Sequence, residues 1–129
     1  PQKGTKFSID ALISQIQNEP LQSGLTLSGG EPFLQSEELI PIAKAAKAKG
    51  LSLWAYSGYT FEELLQDETK RKLLELLDVL VDGRFVLALK DYRLKFKGSR
   101  NQRIIDVQES LQSGMVVLSS YDDENQKLD

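Results

Sequence analysis

Strand-like apolar runs recur about every 25 residues along this chain with helical patterns between them, and no other feature constrains the fold as much. The runs are Gly24 to Ser28, Leu51 to Tyr56, Asp78 to Val81, Arg103 to Val107 and Met115 to Leu118. A parallel strand pair needs a long crossover, which a helix supplies, so the alternation predicts an α/β protein with a parallel sheet. Periodicity alone leaves open a doubly wound sheet or part of a barrel. Among the connecting segments, Ser8 can cap a helix through Ile9, Leu12, Ile13 and Ile16, with Pro20 beyond its end. Ser36 opens another through Leu39, Ile42, Ala43 and Ala46. Because Pro41 is tolerated only in a first turn, that helix is expected to begin near Glu38 and to end before Gly50. Thr60 and Glu63 have the spacing of a capping box ahead of Phe61, Leu64 and Leu65, and a helix after Asp67 presents Leu73, Leu74, Leu76 and Leu77. Further on come a short helix near Val86 to Leu89, a basic irregular stretch to Gln102 and a helix ending at Ser113. Residues 1–120 read as one domain and 121–129 as a polar, disordered tail.

With 129 residues and 40% hydrophobic content the chain suffices for a single core. Sixteen Lys and Arg against nineteen Asp and Glu leave a net charge of −3, without the single-sign block that nucleic-acid binding would need. No apolar run approaches the roughly eighteen residues of a membrane span, and no basic-then-apolar leader is present, so a soluble cytoplasmic protein is the expectation. There is no cysteine and no histidine. Disulfides are excluded, and any transition-metal site must use residues from outside these 129.

In parallel α/β sheets ligands bind beyond the carboxyl ends of the strands, which directs attention to Ser28 to Pro32, Tyr56 to Tyr59 and Asp82 to Arg84. Gly29 and Gly30 expose backbone groups, Pro32 fixes the exit direction, and Glu31 can pair with an ammonium. Position alone also allows a plain strand-to-helix turn with Glu31 in solvent. Ser57 and Asp82 end the next two strands, as ligand contacts or as caps and turn residues. Arg103 has a guanidinium fork suited to a carboxylate, or to a surface ion pair. Asn101 and Gln102 either fix their loop through backbone hydrogen bonds or meet a partner. Trp54 reads as core rather than as a platform for an adenine, and the basic stretch Lys90 to Arg103 as a solvated face or a docking surface.

The phrase Leu25-Thr-Leu-Ser-Gly-Gly-Glu-Pro-Phe33 resembles the cofactor-binding turn of radical S-adenosylmethionine enzymes, whose GGEP element receives the methionyl amino group. Trp54 to Leu64, Val79 to Phe85 and Gly98 to Val107 narrow the resemblance to the glycyl-radical-activating branch serving anaerobic ribonucleotide reductase. It extends from Phe7 to Leu118, with Asn101 to Asp106 its most specific phrase. The resemblance implies a partial (β/α) barrel in which a [4Fe-4S] cluster reductively cleaves S-adenosylmethionine and a glycyl radical is generated on the reductase catalytic subunit. A low-potential electron donor such as flavodoxin would complete the system. Carried over residue by residue, it implies cofactor contacts at Ser28, Gly29, Gly30, Glu31, Pro32, Ser57, Asp82 and Arg103, and neither a catalytic residue nor a metal ligand in this chain. Two departures accompany it. The family's CxxxCxxC loop and first strand are expected before Pro1, so the 129 residues by themselves are expected to be inactive. Arg84 stands where proline is usual. Rival readings are an activase of pyruvate formate-lyase or another glycyl radical enzyme, and a non-enzymatic nucleotide-binding module using Gly29-Gly30 as an anion nest, beside which Glu31 is an odd neighbour.

Overall fold

A computed structural model describes residues 24–94 and 96–122. The helix expected from Ser8 lies outside them. Four strands, β1 (Gly24–Leu27), β2 (Ser52–Tyr56), β3 (Val79–Asp82) and β4 (Arg103–Asp106), form one sheet in the order β1-β2-β3-β4. The first three run parallel, Leu25 beside Leu53 and Tyr56 beside Val81, joined through α1 (Ser36–Ala48) and then through α2 (Phe61–Leu65) and α3 (Glu68–Leu74). A further helix, α4 (Val107–Ser113), follows β4.

The all-parallel expectation fails at β4, which pairs antiparallel to β3 with Asp82 beside Arg103 and Val81 beside Ile104. The physical reason lies in the connection. Among the described residues of 83–102 there is only a 3-10 turn at Leu87–Leu89 and the isolated bridge between Lys90 and Ser99. Without a helical crossover the chain cannot return to the start of the sheet, so it doubles back along β3. The expected fifth strand is likewise reduced to one bridge between Ile105 and Leu118. The sheet is mixed, mostly parallel, and open rather than closed into a barrel.

Helix α1 begins at Ser36, two residues earlier than Pro41 suggested, and contains that proline in its interior. The hydrogen bond Pro41 cannot make would end on the carbonyl of Glu37, an exposed residue whose carbonyl water can serve. At the other end Gly50, with φ of 77°, donates to the Lys47 carbonyl while Leu51 N–H reaches the Ala46 carbonyl, a glycine-dependent stop. The capping box forms as the spacing predicted: Thr60 Oγ1 accepts from Glu63 N–H at 3.1 Å and Glu63 Oε1 accepts from Thr60 N–H at 2.9 Å.

Alternation along the strands separates two apolar layers. Leu27, Leu53, Ala55, Leu80 and Ile105 pack against the helices through Phe33, Leu39, Ile42, Phe61, Leu64, Leu73 and Leu74. On the opposite face Val79, Val81 and Ile104 pack with Trp54 and Tyr56. Trp54 is therefore a packing residue, its ring 5.5 Å from Phe96 and 5.2 Å from Tyr121. Tyr121 and Asp122 accordingly belong to the folded unit, two residues into the stretch read as a tail.

Candidate functional site

The turn after β1 meets the turn after β2 through one carboxylate. Gly29 has φ of 97°, a conformation that favours glycine, and it swings the chain so that Glu31 stands at the start of the 3-10 turn Pro32–Gln35. There Glu31 Oε2 accepts from its own turn, at Phe33 N–H (3.2 Å), and from Ser57 Oγ (2.8 Å). Oε1 accepts from Gly58 N–H at 2.8 Å. Ser57 is buried, and its Oγ also receives Tyr59 N–H at 3.0 Å. The carboxylate is thus held by three donors drawn from two strand ends, not left in solvent. A carboxylate has about four acceptor positions, so among the described residues one direction is left without a donor.

Two depressions flank this carboxylate. One, about 260 Å³, is lined by Glu31, Leu34, Gly58, Tyr59 and Arg84. The other, about 270 Å³, has Gly29, Gly30, Ser57, Gly83, Phe85 and Gln102 among its walls, again with Glu31. Ser28 and Gly29 are exposed beside them, whereas Pro32 is buried. Gly58, whose N–H completes the Glu31 cradle, lies in the Tyr56 to Tyr59 stretch to which strand-end position pointed, but the sequence assigned it no role.

Asp82 and Arg103 are brought together, but with each other rather than with Glu31. Arg103 Nε and Nη2 donate to Asp82 Oδ1 and Oδ2 at 3.0 and 2.6 Å, and Nη2 also reaches Glu62 Oε1 at 2.7 Å. Asp82 Oδ2 in addition accepts Phe61 N–H at 2.8 Å, so a buried strand-end carboxylate satisfies a donor at the start of α2. The hydrogen bonds that Arg103 donates to Asp82, then to Glu62, raise its guanidinium pKa above the ordinary value, and the one to Glu62 lowers the pKa of that carboxyl. Neither Asp82 nor Arg103 lines the two depressions. Replacing Asp82 with Asn is expected to destabilise the fold by about 1.5–3 kcal/mol, the range for hydrogen bonds to charged groups. A urea midpoint equal to the parent's would show that the pair contributes nothing.

Asn101 and Gln102 fix the loop. Asn101 Nδ2 donates to the Arg84 carbonyl at 2.8 Å and Gln102 Nε2 to the Gly83 carbonyl at 2.9 Å, while Gln102 Oε1 accepts from Gly98 N–H at 2.8 Å and Ser99 N–H at 3.1 Å. The basic stretch is not uniformly solvated either. Lys97 is buried against Asp122, with 3% and 1% of the two side chains exposed. Among the described residues no group of three or more acidic, His or Cys side chains is arranged to hold a metal ion, and no helix is long and apolar enough to cross a membrane.

A family model described as a 4Fe-4S single cluster domain matches residues 2–105. The chain is also similar to proteins named anaerobic ribonucleoside-triphosphate reductase-activating protein. The one from Haemophilus influenzae is 33% identical over 117 residues, covering 80% of this chain and 74% of the relative. The Escherichia coli K12 protein is 35% identical over 104 residues, 76% of this chain and 66% of the relative. A third, from Enterobacteria phage T4, is 33% identical over 104 residues, 78% and 63% of the two chains. No solved structure matches the chain.

Proposed function

The chain belongs to the 4Fe-4S single cluster domain family and to the anaerobic ribonucleoside-triphosphate reductase-activating proteins, and from this premise we propose that its Glu31 turn binds the methionyl end of S-adenosylmethionine. The observation that carries the reading is the Glu31 carboxylate itself. It is fixed by Phe33 N–H, Ser57 Oγ and Gly58 N–H, keeps an acceptor direction open among the described residues and borders two depressions. A positioned carboxylate next to the exposed Ser28 and Gly29 and the half-buried Gly30 suits an ammonium, which offers three donors and one positive charge. Ser57 orients the acid, and Pro32 anchors the turn in the core. Asp82 and Arg103 serve at one remove, holding the start of α2 and the end of β3 on which the depressions are built.

S-adenosylmethionine supplies, when bound, a sulfonium whose one-electron reductive cleavage provides the radical chemistry needed to activate a glycyl radical enzyme. This chain's own task is to align that cofactor and exclude water. The residues present do not fit an iron–sulfur cluster. Such clusters are held chiefly by Cys thiolates, with His in some, and the 129 residues contain neither. A cluster on the complete protein takes its ligands from elsewhere, and in that setting the open sheet reads as an arc of a partial (β/α) barrel. The anaerobic reductase is the partner this reading assigns, with a low-potential electron donor such as flavodoxin and a cytoplasmic setting.

The test is calorimetric. In a protein that also carries cluster ligands, Glu31→Ala is expected to weaken S-adenosylmethionine binding by about 1.5–3 kcal/mol, the worth of a hydrogen bond to a charged group. Affinity equal to the parent's, at matched cluster content, would remove Glu31 from the site.

A further inference from the structure

We infer that Arg84 is the anion-binding half of this site, its guanidinium receiving the carboxylate of the same α-amino acid moiety whose ammonium Glu31 takes. The inference rests on the Glu31 assignment and adds to it a second contact of opposite charge. Arg84 has a fixed backbone and an uncommitted side chain. Its carbonyl accepts from Asn101 Nδ2 at 2.8 Å, and the preceding Gly83, with φ of 96°, donates its N–H to the Tyr59 carbonyl at 3.1 Å. The side chain is exposed, and among the described residues its guanidinium has no hydrogen-bond or ion-pair partner. That sets it apart from Arg93, tied to Asp91, and from Arg103, tied to Asp82 and Glu62.

Geometry explains why Arg84 and Glu31 share a depression without neutralising each other. Glu31 is drawn back by Phe33 N–H, Ser57 Oγ and Gly58 N–H. Gly58 lies between the two: a Cβ built there would stand 3.6 Å from Glu31 Oε1 and 3.7 Å from Arg84 Cγ. The acid and the base therefore line one depression of about 260 Å³, with Gly58 between them and Leu34 and Tyr59 in the same wall. Were they paired, they would present a neutral surface. Held apart, they present a carboxylate and a guanidinium fork to a ligand that carries an ammonium and a carboxylate on one carbon. The volume is slightly below the roughly 300 Å³ at which pockets for whole small molecules begin, which suits one end of a larger ligand.

The experiment compares two probes on the 129-residue chain, followed by amide chemical shifts: S-adenosylmethionine, and its decarboxylated analogue, which keeps the ammonium and the sulfonium but lacks the carboxylate. Arg84→Gln is expected to weaken S-adenosylmethionine binding by about tenfold, the effect of losing one charge-assisted contact, and to leave the analogue's affinity unchanged. Glu31→Gln is expected to weaken both probes. An unchanged S-adenosylmethionine affinity in Arg84→Gln, with Glu31→Gln still impaired, overturns the Arg84 assignment and leaves Glu31 in place. Equal loss of both probes in Arg84→Gln also overturns it, since the residue then acts on the loop and not on a carboxylate. If neither probe binds the parent chain, or Glu31→Gln changes nothing, the underlying reading falls with it. Matched melting temperatures exclude misfolding, which is not expected because the fold uses only the backbone of Arg84.

Discussion

Anaerobic treatment of the 129-residue chain with iron and sulfide is expected to leave it without a cluster, free of stoichiometric iron and of cluster absorption, and unable to generate a glycyl radical. The effect is all-or-none because it rests on donor chemistry. Thiolate ligands, and imidazole where it replaces them, hold such clusters, and this chain has neither cysteine nor histidine. Carboxylates are the remaining candidates, and among the described residues they are not grouped to hold a metal. Hard oxygen donors also suit magnesium and calcium better than an iron–sulfur core. Iron analysis and an absorption spectrum decide the point, and stoichiometric iron with a cluster band would refute it. Cluster assembly recovered on supplying a cysteine-bearing segment of the family would support it and would identify these residues as the cofactor-aligning part of a larger unit.

Loss of Asp122 should be the most damaging single substitution for stability. Its side chain is 1% exposed, and it accepts Lys97 Nζ at 3.3 Å and Ile104 N–H at 2.7 Å. Asp122→Ala would strand a buried ammonium and a strand N–H together, and breaking a buried ion pair from one side costs about 3–5 kcal/mol. Domains of this size are stable by only about 5–15 kcal/mol, so the variant is expected to unfold at a far lower urea concentration. The double variant Asp122→Asn with Lys97→Met keeps an acceptor for Ile104 while removing the charge, and should recover much of the loss. A denaturation midpoint in Asp122→Ala close to the parent's would show that Lys97 reaches water after all. The same measurement tests whether the end of the described chain is integral to the sheet's outer layer, since Tyr121 packs edge-on against Trp54 and Phe96 beside the ion pair.

The Glu31 cradle could be anticipated only in part. Gly29 announces itself, because a strand that must turn through positive φ needs glycine, and the acid that follows it stands at a strand's carboxyl end. That Ser57 Oγ and Gly58 N–H would close on the carboxylate depends on β1 and β2 lying side by side in register, Leu27 beside Ala55. Arg103 shows the same division more sharply. Its chemistry was legible as a carboxylate fork, yet which carboxylate it meets was settled by β4 running antiparallel and setting it beside Asp82, 21 residues away in the chain.

What the amino-acid order determined by itself is local. Helix α1 with its stop at Gly50, the capping box of Thr60 and Glu63, and the alternation that puts Leu53 and Ala55 on one face and Trp54 and Tyr56 on the other all depend on neighbours within a few residues. Only the tertiary structure decided the direction of β4, the burial of Lys97 from a stretch that reads as basic and solvated, and the separation of Arg84 from Glu31 around a shared depression. These depend on contacts between residues far apart in the chain. Loop closure and packing choose such contacts, and no sequence window short enough to show periodicity contains both partners.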